Sequence, residues 1–515
     1  MNLLAILTIY LFSYFTGERD GLHLAWSNDG YHWTPLAGNS SLLTPVIGED
    51  KLMRDPSICQ GPDGTFHMVW TSSWHDRIIG YASSKDLAHW SEQKAIPVMM
   101  HEPEAHNCWA PELFYDAPSE TYYIYWATTI PGRHSYVPTT ENEKGLNHRI
   151  YCTTTKDFET FTPTEMFFNP DFSVIDAAIV RDEADDDLIM FVKNENSAPA
   201  EKNIRITRSK DIRNGFPTAV SEPVHGKYWS EGPAPLYLED GTLIVYFDRY
   251  MDGKYGAAVS RDNGRTWSDV PDEDLSFPEE MRHGTAFKIT DEQFNTLQMN
   301  IAVQQRHSVR HYKDVPLSQE HIAFLQEEIK KCNSGGNLDF KLVTDEHEAF
   351  GSGNGITGRF SNADNYIVLI AKDAPDAAER TGYFGEKIVL AAQAAGLNTC
   401  WVAGSYNRVE KTMSAPDGYR LFGVISIGYG AETGKFHTSK SFSDVTEGEG
   451  FPEWFVAGVE SALLAPTAMN RQMFTFSWDG RNAVASAPQG DYEQVSLGIA
   501  EYHFELASGH RCTEF

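Results

Sequence analysis

The 515-residue sequence predicts two folds in tandem: an all-β five-bladed β-propeller over residues 1–290, then an α+β domain over residues 291–515. Three observations carry this. A polar residue recurs at the head of a short apolar run, as Asp55, Glu112, Asp176, Glu231 and His283, in RDPSI, WAPEL, IDAAI, EGPAP and RHGTA. The steps between them are 57, 64, 55 and 52 residues, a period that signals repeated supersecondary units. After Ile289 the pattern stops and helix-period segments begin.

Each unit contains an aromatic-rich run of strand length: YLFSYFTG (10–17), FHMVWTSS (66–73), YYIYWATT (122–129), LIMFVKNE (188–195) and LIVYFDRY (243–250). Each then carries an Asp in a turn with an aromatic four or five residues on, as in Asp29–Trp33, Asp86–Trp90, Asp157–Phe161, Asp211–Phe216 and Asp262–Trp267. Asp supplies turn chemistry, and the aromatic packs back between units. Five units of about four strands each make five blades. The chain opens on a second strand and ends the repeats on a first strand, RHGTAFKIT (282–290). The two ends are therefore expected to share one blade, which leaves no broken ring and only short protected edges.

MNLLAILTIYLFSYF lacks a basic n-region and a small-x-small cleavage site, and residues 10–17 are needed as a strand. It is read as part of the fold. Six widely spaced cysteines without zinc spacing read as reduced thiols, which points to the cytoplasm and leaves secretion open. The net charge of −30 argues against nucleic acid and anionic membranes as partners. DEADDD (182–187) reads as a solvated hairpin, and no other apolar run reaches the roughly 20 residues of a membrane span.

In a propeller the inner strands converge on one channel. Acids at four of five inner positions resist a packing explanation, because buried unpaired carboxylates are costly. A charged rim or ion site is one reading. The other is glycoside hydrolysis, in which a protonated carboxyl serves the leaving oxygen and an ionised one activates water. A third carboxylate can hold the acid's pKa up.

Residues 1–290 resemble family 43 of the glycoside hydrolases, carried by R-D-P-S, I-D-A and S-E-G-P in that order. The resemblance implies Asp55 as general base, Asp176 as pKa modulator and orienter, and Glu231 as general acid. It also implies inversion, with base and acid roughly 6.5–9.5 Å apart, and arabinofuranosyl, xylosyl or galactofuranosyl glycans as substrate. Glu112 competes with Glu231 by position alone, and the family places it as positional. His283 resembles a family histidine near the axis beside a water or cation; a hydrogen-bonded core role is the alternative. Arg54 belongs to the same substrate-facing set. Trp109 and Trp229 are the candidate sugar platforms. The insertion at 131–147 is expected to close the pocket to one terminal sugar, making the enzyme exo-acting.

In the second half, Ser318 reads as the N-cap of SQEHIAFLQEEIKKC, YIVLIA (366–371) and FGVISIGYG (422–430) as strands, and GEKIVLAAQAAGLN (385–398) and PEWFVAGVESALLAP (452–466) as helices. Two similar segments, each after a helix, place Asn337 and Asn470 in correspondence, as in a dimer imitated within one chain. The half resembles the nitroreductase superfamily in its single-chain branch, through R-H-S-V-R-H-Y (306–312), G-L-N-T-C-W (396–401) and A-P-T-A-M-N-R-Q (465–472). The resemblance implies FMN, held by Arg306, Ser308, Arg310 and Asn470. Hydrolysis itself needs no cofactor. The alternative function is an FMN-dependent oxidoreductase whose propeller only binds a glycan or partner. The oligomeric state is not legible in the sequence.

Overall fold

The computed structural model describes residues 8–137, 145–182, 185–196, 198–351 and 359–512. The chain divides into two compact units, Met1–Phe294 and Asn295–Phe515.

The first unit is built from five antiparallel sheets. The closing sheet holds β1 (Thr8–Phe15), β2 (His23–Ser27) and β3 (Thr34–Pro35). Next come β4 (Arg54–Gln60), β5 (Phe66–Thr71), β6 (Ile79–Ser84) and β7 (Lys94–Ile96). The third sheet is β8 (Trp109–Asp116), β9 (Thr121–Thr129), β10 (His148–Thr155) and β11 (Glu165–Phe168). The fourth has three strands rather than the expected four: β12 (Val174–Asp182), β13 (Asp187–Asn194) and β14 (Asn203–Ser209). The fifth is β15 (Glu231–Tyr237), β16 (Leu243–Arg249), β17 (Lys254–Ser260) and β18 (Ser268–Asp269), and β19 (Arg282–Thr290) returns to pair with β1. The first strands neighbour one another in a closed circle, β4 to β8 to β12 to β15 to β19 and back to β4. The β1–β19 pairing runs from Thr8↔Thr290 to Phe15↔Arg282, so strands from the two ends of the repeat region close the ring.

The recurring Asp turn has one mechanism in all five blades. Asp29 Oδ1 accepts from Tyr31 N at 2.7 Å and His32 N at 2.9 Å. Asp86, Asp157, Asp211 and Asp262 cap backbone N–H groups in the same way. Trp33, in the first such turn, is buried edge-on to Phe12 of β1 and Tyr246 of β16, welding the closing blade to its neighbour. In 182–187, Asp182 pairs with Asp187 as a hairpin, and residues 183–184 lie outside the described residues. Residues 138–144 of the insertion and 1–7 of the N-terminus also lie outside them.

The second unit has a four-stranded antiparallel sheet. Its strands are β20 (Lys341–Val343), β21 (Tyr366–Lys372), β22 (Asn398–Val402) and β23 (Tyr419–Gly428), in the order β20-β21-β23-β22. A smaller sheet holds β24 (Thr446–Glu447), β25 (Thr475–Trp478) and β26 (Ala483–Ser486). The helices are α1 (Asp291–Gln305), which starts just before the unit, α2 (Gln319–Gly336), α3 (Ala377–Ala394), α4 (Glu410–Met413), α5 (Glu453–Ala462) and α6 (Asp491–Ser508). Ser318 caps α2, accepting from His321 N at 3.1 Å. Helix α3 begins at Ala377, eight residues before the expected 385. Gly382 and Gly385 hide this start from propensity reasoning, since glycine disfavours helix. Tertiary contact requires them: a Cβ on Gly382 would sit 2.0 Å from Val495 O of α6, and one on Gly385 2.4 Å from the Trp401 ring. Asn337 and Asn470 both adopt the left-handed conformation, at φ 52° and 54°.

Candidate active site at the propeller mouth

Each inner strand carries an irregularity at its head. The register against the second strand shifts between Arg54 and Ser57, Trp109 and Glu112, Ile175 and Ala178, and Glu231 and Ala234. The β1–β19 pair shifts opposite 282–285. These are β-bulges, which re-aim side chains at strand ends. The bulged residue is left-handed at Asp55 (φ 54°), Ala110 (φ 44°), Asp176 (φ 51°) and Gly232 (φ 61°).

This geometry corrects the equivalence of the five polar residues. They fall into three layers. Asp55, Ala110, Asp176, Gly232 and His283 share the bulge position. Glu231 lies one residue earlier, in a layer with Arg54, Trp109, Ile175 and Arg282. Glu112 lies two residues later, with Ser57 and Thr285. Only two acids, not four, occupy the strictly repeated site. Aligning the pentapeptides on R-D-P, W-A-P and E-G-P shows the same offset.

In the bulge layer, Asp55 Oδ2 accepts from Thr71 Oγ1 at 2.8 Å, and its Oδ1 lies 3.2 Å from His283 Nδ1. Burial pushes the Asp55 carboxyl up, but His283, Arg54 and Thr71 together outweigh it and leave its pKa at about 2. His283 moves the other way: burial opposes its charge, and the carboxylates of Asp55, Asp176 and Glu112 raise it to about 9. Asp176 Oδ2 accepts from Gly232 N at 3.0 Å. Burial raises Asp176 to about 6, helped by the charges of Glu231 and Asp55 against those of His283 and Lys193.

Glu231 is held differently. Its Oε2 is 3.0 Å from Lys193 Nζ and its Oε1 3.2 Å from Arg282 Nη2. Burial favours its neutral form, yet these two cations draw its pKa below the usual carboxylate range. Glu112 is buried deeper, accepting from Ser57 Oγ at 2.5 Å and from Thr285 Oγ1 at 3.2 Å. Burial raises it to about 7, so it is a neutral or half-ionised hydrogen-bonding hub.

Trp109 donates its Nε1–H to Trp74 O at 3.0 Å and meets the Trp74 ring edge-on at 5.7 Å. Arg54 lies over Trp74 and Phe15, at 4.6 and 4.8 Å from the ring centroids. Trp229 is 39% exposed beside Tyr250. On the Arg282 side, a cavity of about 760 Å³ is lined by Asp248, Tyr250, Lys254, Tyr255 and Phe277 among others. Tyr255 Oη, buried at this cavity, has no hydrogen-bond partner among the described residues. Among those residues, no group of three or more His, Cys, Asp or Glu is placed to hold a metal ion. His283, expected near an axial water or cation or as a hydrogen-bonded core residue, pairs with Asp55 in a form that favours its own positive charge.

Sequence reasoning missed Thr71, Lys193 and Asp248. Each is the sixth residue of its quoted strand run, directly opposite Arg54, Ile175 and Glu231. A polar or charged residue at that place in a largely apolar strand was the available signal.

The family model described as "Probable glycosyl hydrolase domain", of the family-43-related type, matches residues 6–295. The chain belongs to this family. A second model, "Putative TM nitroreductase", matches residues 298–508, making the second half of this glycosyl-hydrolase-family chain a nitroreductase-type domain. Among solved structures, a Thermotoga maritima protein of that nitroreductase description is 24% identical, covering 40% of this chain and 81% of its own (TM-score 0.31). A thermostable family-43 glycoside hydrolase is 15% identical, covering 42% and 72% (TM-score 0.34). An α-L-arabinofuranosidase from Lactobacillus brevis is 18% identical with the same coverages (TM-score 0.32). No curated protein sequence matches the chain. No described helix is long and apolar enough to cross a membrane.

In the nitroreductase-type unit, the expected FMN-holding residues separate. Ser308 bridges Thr399 beside Cys400, and Arg310 also lies near that thiol. Arg310 Nε is buried without a hydrogen-bond partner among the described residues, a donor suited to an anion. Arg306 turns inward: its Nε is 3.7 Å from Glu386 Oε1, which His503 Nε2 approaches at 3.0 Å, while Trp401 donates to Glu386 Oε2 at 2.7 Å. Asn470 donates to Thr438 O at 2.8 Å. Ser308 and Arg310 fit a phosphate; Arg306 Nε, 3.7 Å from the buried Glu386 carboxylate, is likewise without a hydrogen-bond partner among the described residues.

Proposed function

We propose that the propeller is an inverting, exo-acting glycosidase on arabinofuranosyl, xylosyl or galactofuranosyl glycans. The observation that carries this is the division of protonation in one layer: Asp55, paired with His283 and Thr71, stays ionised to about pH 2, while Asp176, equally buried, is raised to about 6. In this reading Asp55 takes the proton of the attacking water, and Thr71 and His283 keep its oxygens aimed. Asp176 orients and tunes, and Glu231, which Lys193 and Arg282 hold as an anion in the free site, serves the leaving oxygen in the fraction that carries a proton, so activity should rise toward acid pH. The leaving group enters the cavity on the Arg282 side, and the sugar face rests against Trp109 or Trp229.

Glu231→Gln is expected to lower kcat/KM on an unactivated oligosaccharide by about 10²–10⁴-fold. The loss on 4-nitrophenyl glycosides of the three sugars should be smaller, because a nitrophenolate leaves without a proton. Glu112→Gln should cost less than about tenfold on either, since its partners are hydroxyls that an amide also satisfies. Near-normal turnover by Glu231→Gln on both substrate types would remove Glu231 from this role.

For the second unit we infer FMN binding, with Ser308 and Arg310 on the phosphate and Asn470 near the ring. When bound, FMN would supply two-electron redox chemistry. FMN titration should give bound flavin absorbing near about 450 nm, weakened about tenfold by Arg310→Ala. No quenching of FMN fluorescence by the full chain would count against the site.

A further inference from the structure

Six side chains at the mouth alternate in sign along one connected line. Lys202 Nζ is 2.6 Å from Glu195 Oε1; Glu195 Oε2 is 2.7 Å from Lys193 Nζ; Lys193 Nζ is 3.0 Å from Glu231 Oε2. Glu231 Oε1 is 3.2 Å from Arg282, whose Nε donates to Asp248 Oδ2. Lys193 is 1% exposed and stands opposite Ile175, the residue before Asp176. Desolvating a buried lysine in a strand core is unfavourable unless ion pairs offset the cost. Of the equivalent positions, Phe15, Thr71 and Ala127 are uncharged, and the other charged one, Asp248, pairs with Arg282 in the same line.

We propose that Lys193 is a positioning residue that, braced by Glu195 and Lys202, holds the Glu231 carboxylate at the mouth and sets the pH at which Glu231 carries a proton. This rests on Glu231 as the group serving the leaving oxygen. The ammonium is 4.9 Å from the Tyr250 ring centroid, and its ion-pair partners among the described residues are Glu231 and Glu195. The other charged or titratable groups acting near Glu231 are Arg282 and His283 on β19, Asp176 on β12, Asp248 on β16, Tyr250 just after it, Tyr255 on β17 and Arg54 on β4. Arg282 is shared with Asp248 as Lys193 is with Glu195, but Lys193 is the closer to Glu231, at 3.0 Å against 3.2 Å, and the more deeply buried, so it is the cation that acts most strongly on Glu231. Glu231 lies between two cations and so favours its anion. Removing one cation must raise its pKa, and freeing Lys193 from Glu195 must lower it further.

The test uses the full chain in two variants of opposite expected sign. Lys193→Met keeps the volume, leaves Glu195 with Lys202 and leaves Glu231 with Arg282. Glu195→Gln leaves Lys193 to Glu231 alone. The Glu231 carboxyl carbon is followed by ¹³C NMR titration of glutamate-labelled protein, assigned by its loss in Glu231→Gln. Its midpoint should rise by about one to three pH units in Lys193→Met and fall in Glu195→Gln. The alkaline limb of kcat/KM should move in the same two directions, and Lys193→Arg should restore the wild-type limb. An unmoved midpoint in folded Lys193→Met, or shifts of one sign in both variants, overturns the proposal. Should Lys193→Met fail to fold, the Glu195→Gln shift alone decides. If the titration shifts as expected but no glycoside is cleaved, Lys193 keeps its role and the glycosidase reading fails instead.

Discussion

Asp55→Asn is expected to lower kcat/KM by about 10²–10⁴-fold while the propeller stays folded. Asparagine matches aspartate in size and tolerates the left-handed conformation that Asp55 adopts at φ 54°. It still accepts from Thr71, so the bulge survives. It cannot take a proton from water. The variant also removes the carboxylate that does most to hold His283 charged, so His283 should titrate well below its value of about 9. Wild-type activity should persist to low pH on the base side, because Asp55 remains ionised down to about pH 2. Steady-state rates on the glycoside panel, with near-ultraviolet circular dichroism as the fold control, provide the check. An Asp55→Asn protein that turns over normally would rule Asp55 out as the base.

Gly232→Ala should damage stability and activity together. Gly232 has φ 61°, and a Cβ there would lie 2.4 Å from His283 Cγ. The left-handed backbone costs alanine about 1–2 kcal/mol, and overpacking adds about 1–3. A loss of about 2–5 kcal/mol in chemical denaturation follows. The His283 ring has to move, and with it the contact to Asp55 at 3.2 Å. The same glycine donates its N–H to Asp176, so one methyl group disturbs two carboxylates. A second change, His283→Ala in the Gly232→Ala background, should return part of the stability and none of the activity. Wild-type stability in Gly232→Ala would show that the bulge layer is not packed as described.

Much of the propeller was legible because its signals are local. Strand runs, Asp turns and the offset phase that joins β1 to β19 each depend on a few neighbouring residues. The motifs that place Asp55, Asp176 and Glu231 at the heads of inner strands were legible for the same reason. The layers were not, because a bulge changes which residues stand opposite one another without changing composition. Glu112 and Glu231 therefore looked equivalent to Asp55, although one lies deeper and the other at the rim. Lys193 escaped notice because a lysine in LIMFVKNE reads as a strand end until its partners arrive from β15 and the loop after β13. The early start of α3 was hidden for a related reason: Gly382 and Gly385 look like breakers locally and act as contact points for α6 and Trp401.

By itself the sequence determined the repeat count, the way the ring closes and the chemical class of the residues at the axis. These depend on periodicity and on residue type, both of which are one-dimensional. Only the tertiary structure decided which carboxylates face cations and which face one another. That decision separates Asp55, ionised beside His283, from Asp176, whose pKa is raised to about 6. It also places Glu231 between Lys193 and Arg282, and turns Arg306 inward to Glu386. The reason is electrostatic: a carboxyl's protonation is set by burial and by charges within a few ångströms, and those neighbours come from strands far apart in the chain.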